Sequence, residues 1–329
     1  MKTAPPSRLH RRTWLLLSLG LLATAAGCKG SAEGGGAASG KVKLTLNWVA
    51  EPEFGGFYAA REGGAFKRAG LDVEIMTGGA SVPVVQMVAN GQSDFGVVSG
   101  DEVIIARARG ADVVPIFATY QTFPLAIMAH ASRGANTMAD VFAGGTVAIE
   151  PGTPASAHLK KKYGFDKVKV VPYDGGVARF VVDKEYAQQC FITSEPLAAR
   201  KKGAEPKVFL VADEGYNPYA TVVITRKALW KENPERVRAF VRAAREGWRA
   251  YLDDPAPANA VMQKLNTTMD AETFTGAAAA QKPLIENAQT KKLGMMTRER
   301  WETLGKQLIE VGIIDKVPPL DEYLVAIDE

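Results

Sequence analysis

The most constraining feature of this chain is a regular alternation of short apolar strands and helices that begins abruptly at Lys41. From there Val42, Leu44 and Leu46 alternate with polar residues, which is the period of a strand with one buried face. Helical spacing follows, and the pattern repeats as strand, helix, strand, helix and strand through residue 119. Strands separated by helices favour an open, mostly parallel sheet covered by helices, so the sequence predicts an α/β fold.

The alternation is interrupted once, and the interruption marks a second lobe. The apolar run 125–128 follows the preceding strand without a helix between them. Strands and helices then resume, and a last strand near Thr221 leads into a largely helical remainder. We therefore predict a two-lobed fold with two crossing segments, near Thr122 and Thr221. Lobe 1 is expected to comprise residues 41–123 and 222–329, and lobe 2 residues 124–221.

The first 27 residues are typical of an export signal. Four basic residues precede a 13-residue apolar run, 14–26, and small residues lead up to Cys28. This run is shorter than the roughly 20 residues that span a bilayer. The segment resembles a bacterial lipoprotein signal, with residues 1–27 removed and Cys28 lipidated, although a twin-arginine route is also open. Residues 28–40, rich in Gly, Ala and Ser, then form a flexible tether, and the mature protein is exported and membrane-anchored in the periplasm or at the cell surface.

Charge and composition exclude several classes of function. The chain has 40 basic and 36 acidic residues, and the signal holds four of the basic ones, so the mature chain is formally neutral and a nucleic-acid partner is not indicated. His130 and His158 are too few for a metal cage, so no metal or cofactor is expected. With Cys28 lipidated, Cys190 has no disulfide partner and is expected in the core. The protein is expected to be a monomer.

Loops rich in aromatic residues and glycine follow the predicted strands, where a cleft between two lobes would lie. Ligands bind at the carboxyl ends of strands in such folds. Several tyrosines and a tryptophan could stack on a flat ring there, and serine, asparagine and glutamate side chains could bind its polar edge. The candidate ligand-binding residues are Asn47, Trp48, Glu51, Phe54, Tyr58, Ser99, Tyr173, Tyr186, Ser194, Glu195, Tyr216 and Tyr219.

Three stretches carry a resemblance to a known family. They are LTLNWVAEPEFGGFYAA from residue 44, the turn 91–102 and YAQQCFITSEPLAARKKG from residue 186. They resemble the thiamine-pyrimidine precursor binding proteins, which are related to sulfonate, taurine and riboflavin binders. The resemblance covers nearly all of residues 41–329. It implies a periplasmic binding protein of the venus-flytrap type that delivers solute to the permease and ATPase subunits of an ABC importer, with no chemistry of its own.

The resemblance also implies a role for Glu195. The glutamate of the family's Ser-Glu-Pro element contacts the pyrimidine, and a carboxylate can accept two hydrogen bonds from an aminopyrimidine edge. The same motif is also typical of a helix start, with proline in the first turn. Trp48 has core packing as its alternative, and Tyr216 and Tyr219 could simply cover the hinge.

Other ligands and other classes of protein remain open on the sequence. The solute could be hydroxymethylpyrimidine, formylaminopyrimidine, riboflavin, thiamine or a sulfonate, and Arg179 is the candidate for binding a sulfonate anion. The chain has no GxSxG, HExxH or Walker motif, and we expect no enzymatic activity. The enzymatic alternative is a pyrimidine synthase of the same fold that consumes its own histidine and needs a cysteine-rich motif, where this chain has only Cys190. A membrane-tethered sensor is the third class.

Overall fold

The alternating residues that begin at Lys41 form the first strand of a five-stranded sheet. The computed structural model describes residues 41–79, 81–288 and 290–327, so the predicted signal, Cys28 and the tether lie outside the described residues. The strands are β1 (Lys41–Thr45), β2 (Asp72–Met76), β3 (Phe95–Val98), β4 (Val113–Tyr120), β5 (Leu125–His130), β6 (Thr146–Ala148), β7 (Lys169–Val171), β8 (Tyr186–Phe191), β9 (Pro206–Leu210) and β10 (Ala220–Arg226).

Helices connect most of these strands and form the C-terminal third of the chain. They are α1 (Gly55–Glu62), α2 (Ala65–Arg68), α3 (Val84–Ala89), α4 (Gly100–Ala108), α5 (Met138–Val141), α6 (Pro154–Tyr163), α7 (Ala178–Val182), α8 (Glu195–Lys201), α9 (Lys227–Glu232), α10 (Pro234–Asp253), α11 (Ala256–Leu265), α12 (Ala271–Ile285) and α13 (Arg298–Glu310). Short 3-10 turns lie at Pro52–Phe54, Ala131–Arg133, Ala212–Glu214 and Leu320–Glu322.

The first sheet has the strand order β2-β1-β3-β10-β4. In β1, Val42 and Leu44 are fully buried whereas the alternating lysines are exposed, as the period of two predicted. Strands β1, β2 and β3 are parallel, and β10 is antiparallel to both β3 and β4. The late strand β10 therefore returns from the second sheet and completes the first one, as the sequence predicted. We call this sheet and the helices packed on it the first lobe.

The second sheet repeats this design with the order β7-β6-β8-β5-β9. Its strands β6, β7 and β8 are parallel, and β5 is antiparallel to β8 and β9. Strand β5 follows β4 after a short connection, so the chain enters this sheet without a helix, which confirms the predicted interruption. We call this sheet and its helices the second lobe.

The sequence predicted one helix between the first two strands, and this prediction was wrong. The segment forms two helices, α1 and α2, separated at Gly63 and Gly64. Gly64 has a φ of 74°, in the left-handed region that favours glycine, and the helix cannot continue through it. Helix α1 also lies very close to α10, because a Cβ atom on Gly247 would lie 2.3 Å from the carbonyl oxygen of Gly56.

The two crossing segments are tied together by one arginine of α13. The Arg300 guanidinium donates to the carbonyl oxygen of Gln121 at 2.6 Å, on the first crossing. On the second crossing it donates to the Asn217 carbonyl at 2.8 Å and to the Pro218 carbonyl at 3.0 Å. Its Cζ atom also lies 3.9 Å from the centroid of the Tyr219 ring. A single side chain therefore holds both connections between the lobes.

The second crossing carries local backbone strain. Thr221 has a φ of 51°, the single positive value among the described residues other than glycine. A β-branched residue in this region costs on the order of 1–3 kcal/mol. The strain lies at the start of β10, at the position where the sequence predicted the second crossing segment.

Candidate ligand-binding site

Loops that follow strands of the two sheets come close to each other between the lobes, and we call the region between these loops the cleft. Glu51, after β1, and Glu195, after β8, are close enough for the charge of Glu195 to raise the pKa of Glu51. Deeper toward the crossings, the Tyr216 hydroxyl of the second crossing donates to Asp101 of α4 at 2.7 Å. Outside the cleft, Lys201 of α8 lies 2.5 Å from Asp270, the residue that precedes α12. The structure therefore brings the two lobes into contact on both sides of these loops.

Glu195 is the candidate polar group of the second lobe. It is the first residue of α8, followed by Pro196, so the motif does start a helix as the alternative interpretation proposed. The carboxylate is nevertheless turned back toward the loops: it accepts hydrogen bonds from the Tyr173 hydroxyl at 2.5 Å and from the Phe191 backbone N–H at 2.8 Å. Burial raises the pKa of Glu195 above its ordinary value. Each carboxylate oxygen accepts one protein hydrogen bond and retains a lone pair for a ligand donor.

The first lobe contributes two further carboxylates, Glu51 and Glu53. They flank Pro52 at the start of a 3-10 turn, and Gln281 of α12 holds this turn by donating to the Pro52 carbonyl at 2.9 Å. The Gln281 amide oxygen in turn accepts from the Tyr120 hydroxyl at 2.6 Å. The turn that carries both carboxylates is thus fixed by a buried network.

Burial and mutual repulsion shift the titration of these two carboxyl groups. Burial, and secondarily the charge of Glu195, raises the pKa of Glu51 to about 7, although hydrogen bonds from Trp48 and Asn266 oppose the shift. Burial, followed by the charges of Glu51 and Glu195, raises the pKa of Glu53 well above its usual range. Among the described residues no lysine, arginine or histidine forms a salt bridge with any of the three. Negative charge in the cleft therefore lacks a cationic partner from the described part of the chain.

Two aromatic side chains border this acidic group. Trp48 is 42% exposed, so it is not packed in the core, and its side chain acts to lower the pKa of the neighbouring Glu51. Tyr173 is half-buried and bonded to Glu195. Trp48 interacts with Glu51, the charge of Glu195 acts on Glu51, and Tyr173 donates to Glu195, so each lobe contributes one ring next to these carboxyl groups. Such a pair can bind the faces of a planar ring whose edge reaches the carboxylates.

Other candidate residues lie at the rim or at the base of the cleft. Asn47 is half-buried and lines an open groove of about 620 Å³ between α3 and α4. The Ser99 backbone N–H donates to the Glu102 carboxylate at 2.7 Å, and the two residues form the capping box at the start of α4. Ser194 is half-buried, and its carbonyl oxygen accepts from two backbone N–H groups at the start of α8. Tyr216 is buried at the second crossing.

Four candidates lie inside the packed lobes. Phe54 and Tyr58 are fully buried, and Tyr219 is buried with its ring against Arg300. Tyr186 is buried at the amino end of β8, whereas Glu195 follows the carboxyl end of that strand. Arg179, the candidate for binding a sulfonate, lies 4.4 Å from the Tyr186 ring centroid and is therefore at the same remote end. The structure does not bring Tyr186 or Arg179 to the cleft.

Sequence reasoning missed Glu53, which lies next to Glu51 in the cleft. The available signal was the Glu-Pro-Glu sequence directly after a strand, which places two carboxylates on one short turn. Cys190 is buried and free, as expected for a core cysteine. Within the described residues, no group of three His, Cys, Asp or Glu side chains is arranged to hold a metal ion, and no helix is both long and apolar enough to cross a bilayer.

This architecture is the periplasmic binding protein fold. The aliphatic sulphonate binding protein SsuA of Escherichia coli superposes with a TM-score of 0.68 at 13% identity, covering 87% of this chain and 92% of that one. The model of the NMT1/THI5-like family matches residues 51–258. The chain therefore belongs to the NMT1/THI5-like family, as the resemblance implied.

The chain is similar in sequence to named binding proteins and to named enzymes. The riboflavin-binding protein RibY of Chloroflexus aurantiacus is 28% identical over 65% of this chain, and the match spans 63% of that protein's length. The formylaminopyrimidine-binding protein of Halalkalibacterium halodurans is 25% identical over 78% of this chain and 76% of its own. The 4-amino-5-hydroxymethyl-2-methylpyrimidine phosphate synthase THI11 of Saccharomyces cerevisiae is 25% identical over 66% of this chain and 69% of its own.

Proposed function

We propose that this protein is the extracytoplasmic solute-binding component of an ABC importer and that it captures a planar, nitrogen-rich heteroaromatic solute. A thiamine pyrimidine precursor, hydroxymethylpyrimidine or formylaminopyrimidine, fits the site best. The two lobes would close on the solute by flexing at the crossings and present it to the permease. The mature protein would act outside the cytoplasm, anchored through Cys28.

The observation that carries this proposal is the group of carboxylates from both lobes that lies beside two aromatic side chains. An aminopyrimidine has hydrogen-bond donors on its edge, and carboxylates are acceptors. Because Glu51 and Glu195 belong to different lobes, a solute that binds both makes contacts that exist only when the cleft is closed. A ligand can shift a conformational equilibrium only through such differential contacts.

The same carboxylates argue against a sulfonate. A sulfonate would place its negative charge beside carboxyl groups that have no cationic partner in the described part of the chain, and every ionised carboxylate among them would repel it. The likeness to SsuA therefore supports the fold and not the ligand. Riboflavin is the second candidate, because RibY binds it according to its name and matches most of the folded chain.

A synthase activity has less support in the site. The synthase relatives share the family, and the alternative requires a histidine at the reacting centre. His130 stacks on Phe180 with ring centroids 4.1 Å apart in the second lobe, and His158 bonds the Glu214 carbonyl at 3.1 Å. Both described histidines thus have structural contacts away from Glu51 and Glu195. A solute-binding protein releases its ligand unaltered, which recovery of the ligand after binding would test.

A thermal-shift screen followed by calorimetry tests the proposed function. The panel consists of hydroxymethylpyrimidine, formylaminopyrimidine, riboflavin and an alkanesulfonate. We expect a pyrimidine to bind, and Glu195→Gln to weaken its binding by about 1.5–3 kcal/mol because the carboxylate acceptor is replaced by an amide. Glu205→Gln, at an exposed glutamate of the same lobe, is the matched control. Tight binding of the sulfonate, or unchanged pyrimidine affinity in Glu195→Gln, would reject the proposal.

A further inference from the structure

Helix α12 of the first lobe holds the turn that carries Glu51 and Glu53. Gln281 is fully buried in this helix and donates to the Pro52 carbonyl at 2.9 Å. Its amide oxygen accepts from the Tyr120 hydroxyl at 2.6 Å, so both ends of the side-chain amide are bonded. A buried amide with both ends bonded has one arrangement, and the position of the turn therefore follows the position of α12.

The carboxyl end of α12 is bonded to the first crossing segment. The Leu284 carbonyl oxygen accepts from the Gln121 backbone N–H at 2.8 Å and from the Thr122 backbone N–H at 2.9 Å. These two residues lie between β4 of the first sheet and β5 of the second. The same helix thus holds the turn and one of the two connections between the lobes.

The amino end of α12 contacts α8 of the second lobe. Lys201, the last residue of α8, lies 2.5 Å from Asp270, which caps α12, and 3.1 Å from Glu272 in its first turn. All three side chains are exposed, so these ion pairs are screened by water. Because α8 begins at Glu195, this contact joins α12 to the second half of the candidate site.

The closest approach of α12 to α8 is made at a glycine. A Cβ atom on Gly276 would lie 3.3 Å from Cδ1 and 3.7 Å from Cδ2 of Leu197. Gly276 is the single glycine of α12, and four alanines follow it directly. Alanine is more favourable than glycine in a helix interior, so the helix itself does not require glycine at this position. The missing side chain instead allows Leu197 to approach the helix.

We propose that α12 positions the two halves of the candidate site relative to each other, and that Gly276 determines how closely they approach. The inference rests on the proposed function, because it names the residue that limits lobe closure at the same site. Gly276 is a positioning residue. It acts through Leu197, which lies two residues after Glu195 on α8, and not through a contact of its own with the ligand.

A side chain at Gly276 should oppose closure without harming either lobe. In the closed arrangement it would compete with Leu197 for the same volume, and packed side chains do not accept added volume without a shift. When the lobes separate, Leu197 moves away and the conflict disappears. The substitution therefore raises the free energy of the closed form alone, and the apparent ligand affinity falls with the closed population.

The distance between the lobes tests the inference directly. Spin labels at Glu74→Cys and Lys169→Cys lie at exposed positions of β2 and β7, the edge strands of the two sheets. The full chain carries Cys28→Ser for this measurement, because Cys190 is buried. With saturating hydroxymethylpyrimidine or formylaminopyrimidine, Gly276→Leu should show a longer distance than the parent protein. Ala279→Leu, at an exposed alanine of the same helix, should not.

Calorimetry and thermal unfolding separate positioning from a structural role. Gly276→Leu should weaken pyrimidine binding by about tenfold or more without lowering the melting temperature, since leucine favours the helix more than glycine does. Adding Leu197→Ala returns the lost space, so the double variant should bind within about threefold of the unsubstituted protein. Lys201→Gln removes exposed ion pairs only and should weaken binding by less than about threefold.

The outcomes distinguish this inference from the proposed function. An unchanged distance or affinity in Gly276→Leu, a lower melting temperature, or no recovery with Leu197→Ala would overturn the inference while the proposed function stands. If both pyrimidines fail to bind the unsubstituted protein, the proposed function fails. The distances without ligand then decide the inference: a longer distance in Gly276→Leu that Leu197→Ala reverses supports it, and equal distances overturn it.

Discussion

The cleft and the crossing segments hold charged side chains in opposite ways. At the crossings, Arg300 donates to three carbonyl oxygens and to the Asn217 side chain, and its guanidinium stacks on Tyr219. In the cleft, Glu51, Glu53 and Glu195 have no cationic partner among the described residues. Each nitrogen of the Arg300 guanidinium is therefore hydrogen-bonded, whereas the three carboxyl groups at the candidate site have no cation to pair with in the described part of the chain. This difference distinguishes residues that stabilise the fold from residues of the candidate site.

The largest expected effect comes from removing the bonded charge. Arg300→Ala should lower the free energy of unfolding by about 2–4 kcal/mol, because several half-buried carbonyl oxygens lose their donor. Arg298→Ala, at an exposed arginine of the same helix, should change it by no more than about 0.5 kcal/mol. Urea denaturation monitored by circular dichroism measures both. Similar changes in the free energy of unfolding for the two variants would contradict the comparison, since Arg300 would then behave as a surface charge.

Removal of a carboxylate that has no cationic partner should change the free energy of unfolding in the opposite direction. The folded protein raises the pKa of Glu51 from 4.5 to about 7, so this group stabilises the ligand-free fold less as pH rises from about 4.5 to about 7. Glu51→Gln should therefore raise the free energy of unfolding above pH 7 by about 1–2 kcal/mol and flatten its pH dependence. Denaturation at about pH 5 and about pH 8 checks this. Lower stability of Glu51→Gln at the higher pH would show that the carboxylate is structurally required.

The smallest effect is expected at the aromatic border of the cleft. Trp48 is 42% exposed, so Trp48→Ala should leave stability nearly unchanged but weaken ligand binding by about 0.5–1.5 kcal/mol. It should also remove the quenching of tryptophan fluorescence by ligand, which Trp230→Phe, in the first lobe, should retain. Full quenching in Trp48→Ala would mean that the ring does not contact the ligand, and the comparison would then rest on the carboxylates alone.

Much of the fold could be predicted because it depends on local patterns. The alternation in β1 and the missing helix before β5 identified the two sheets and the first crossing. The break at Gly63 and Gly64 was missed, since paired glycines are compatible with either a helix interior or its end. The sequence alone therefore did not show that a helix ends at these two glycines.

The site was less predictable because it depends on tertiary surroundings. Glu195 and Glu51 were found through the loops that follow strands. Glu53 was missed, since a sequence does not show which carboxylates lack partners. Tyr186 was chosen as a ring that could stack on a planar ligand, but its strand runs from a buried end toward the cleft, and only the last residues of the strand approach Glu195. The sequence also left open whether Trp48 packs in the core. The structure was needed to show that its side chain is exposed.

The most direct test of the account is a crystal structure of the protein with hydroxymethylpyrimidine. The account predicts an intact pyrimidine between Trp48 and Tyr173, with its amino nitrogen about 3 Å from carboxylate oxygens of Glu195 and Glu51. The lobes should be closed around it, and the ligand should carry no new covalent bond. A pyrimidine bound elsewhere, such as in the groove between α3 and α4, or a Glu195 that faces bulk water, would contradict the account.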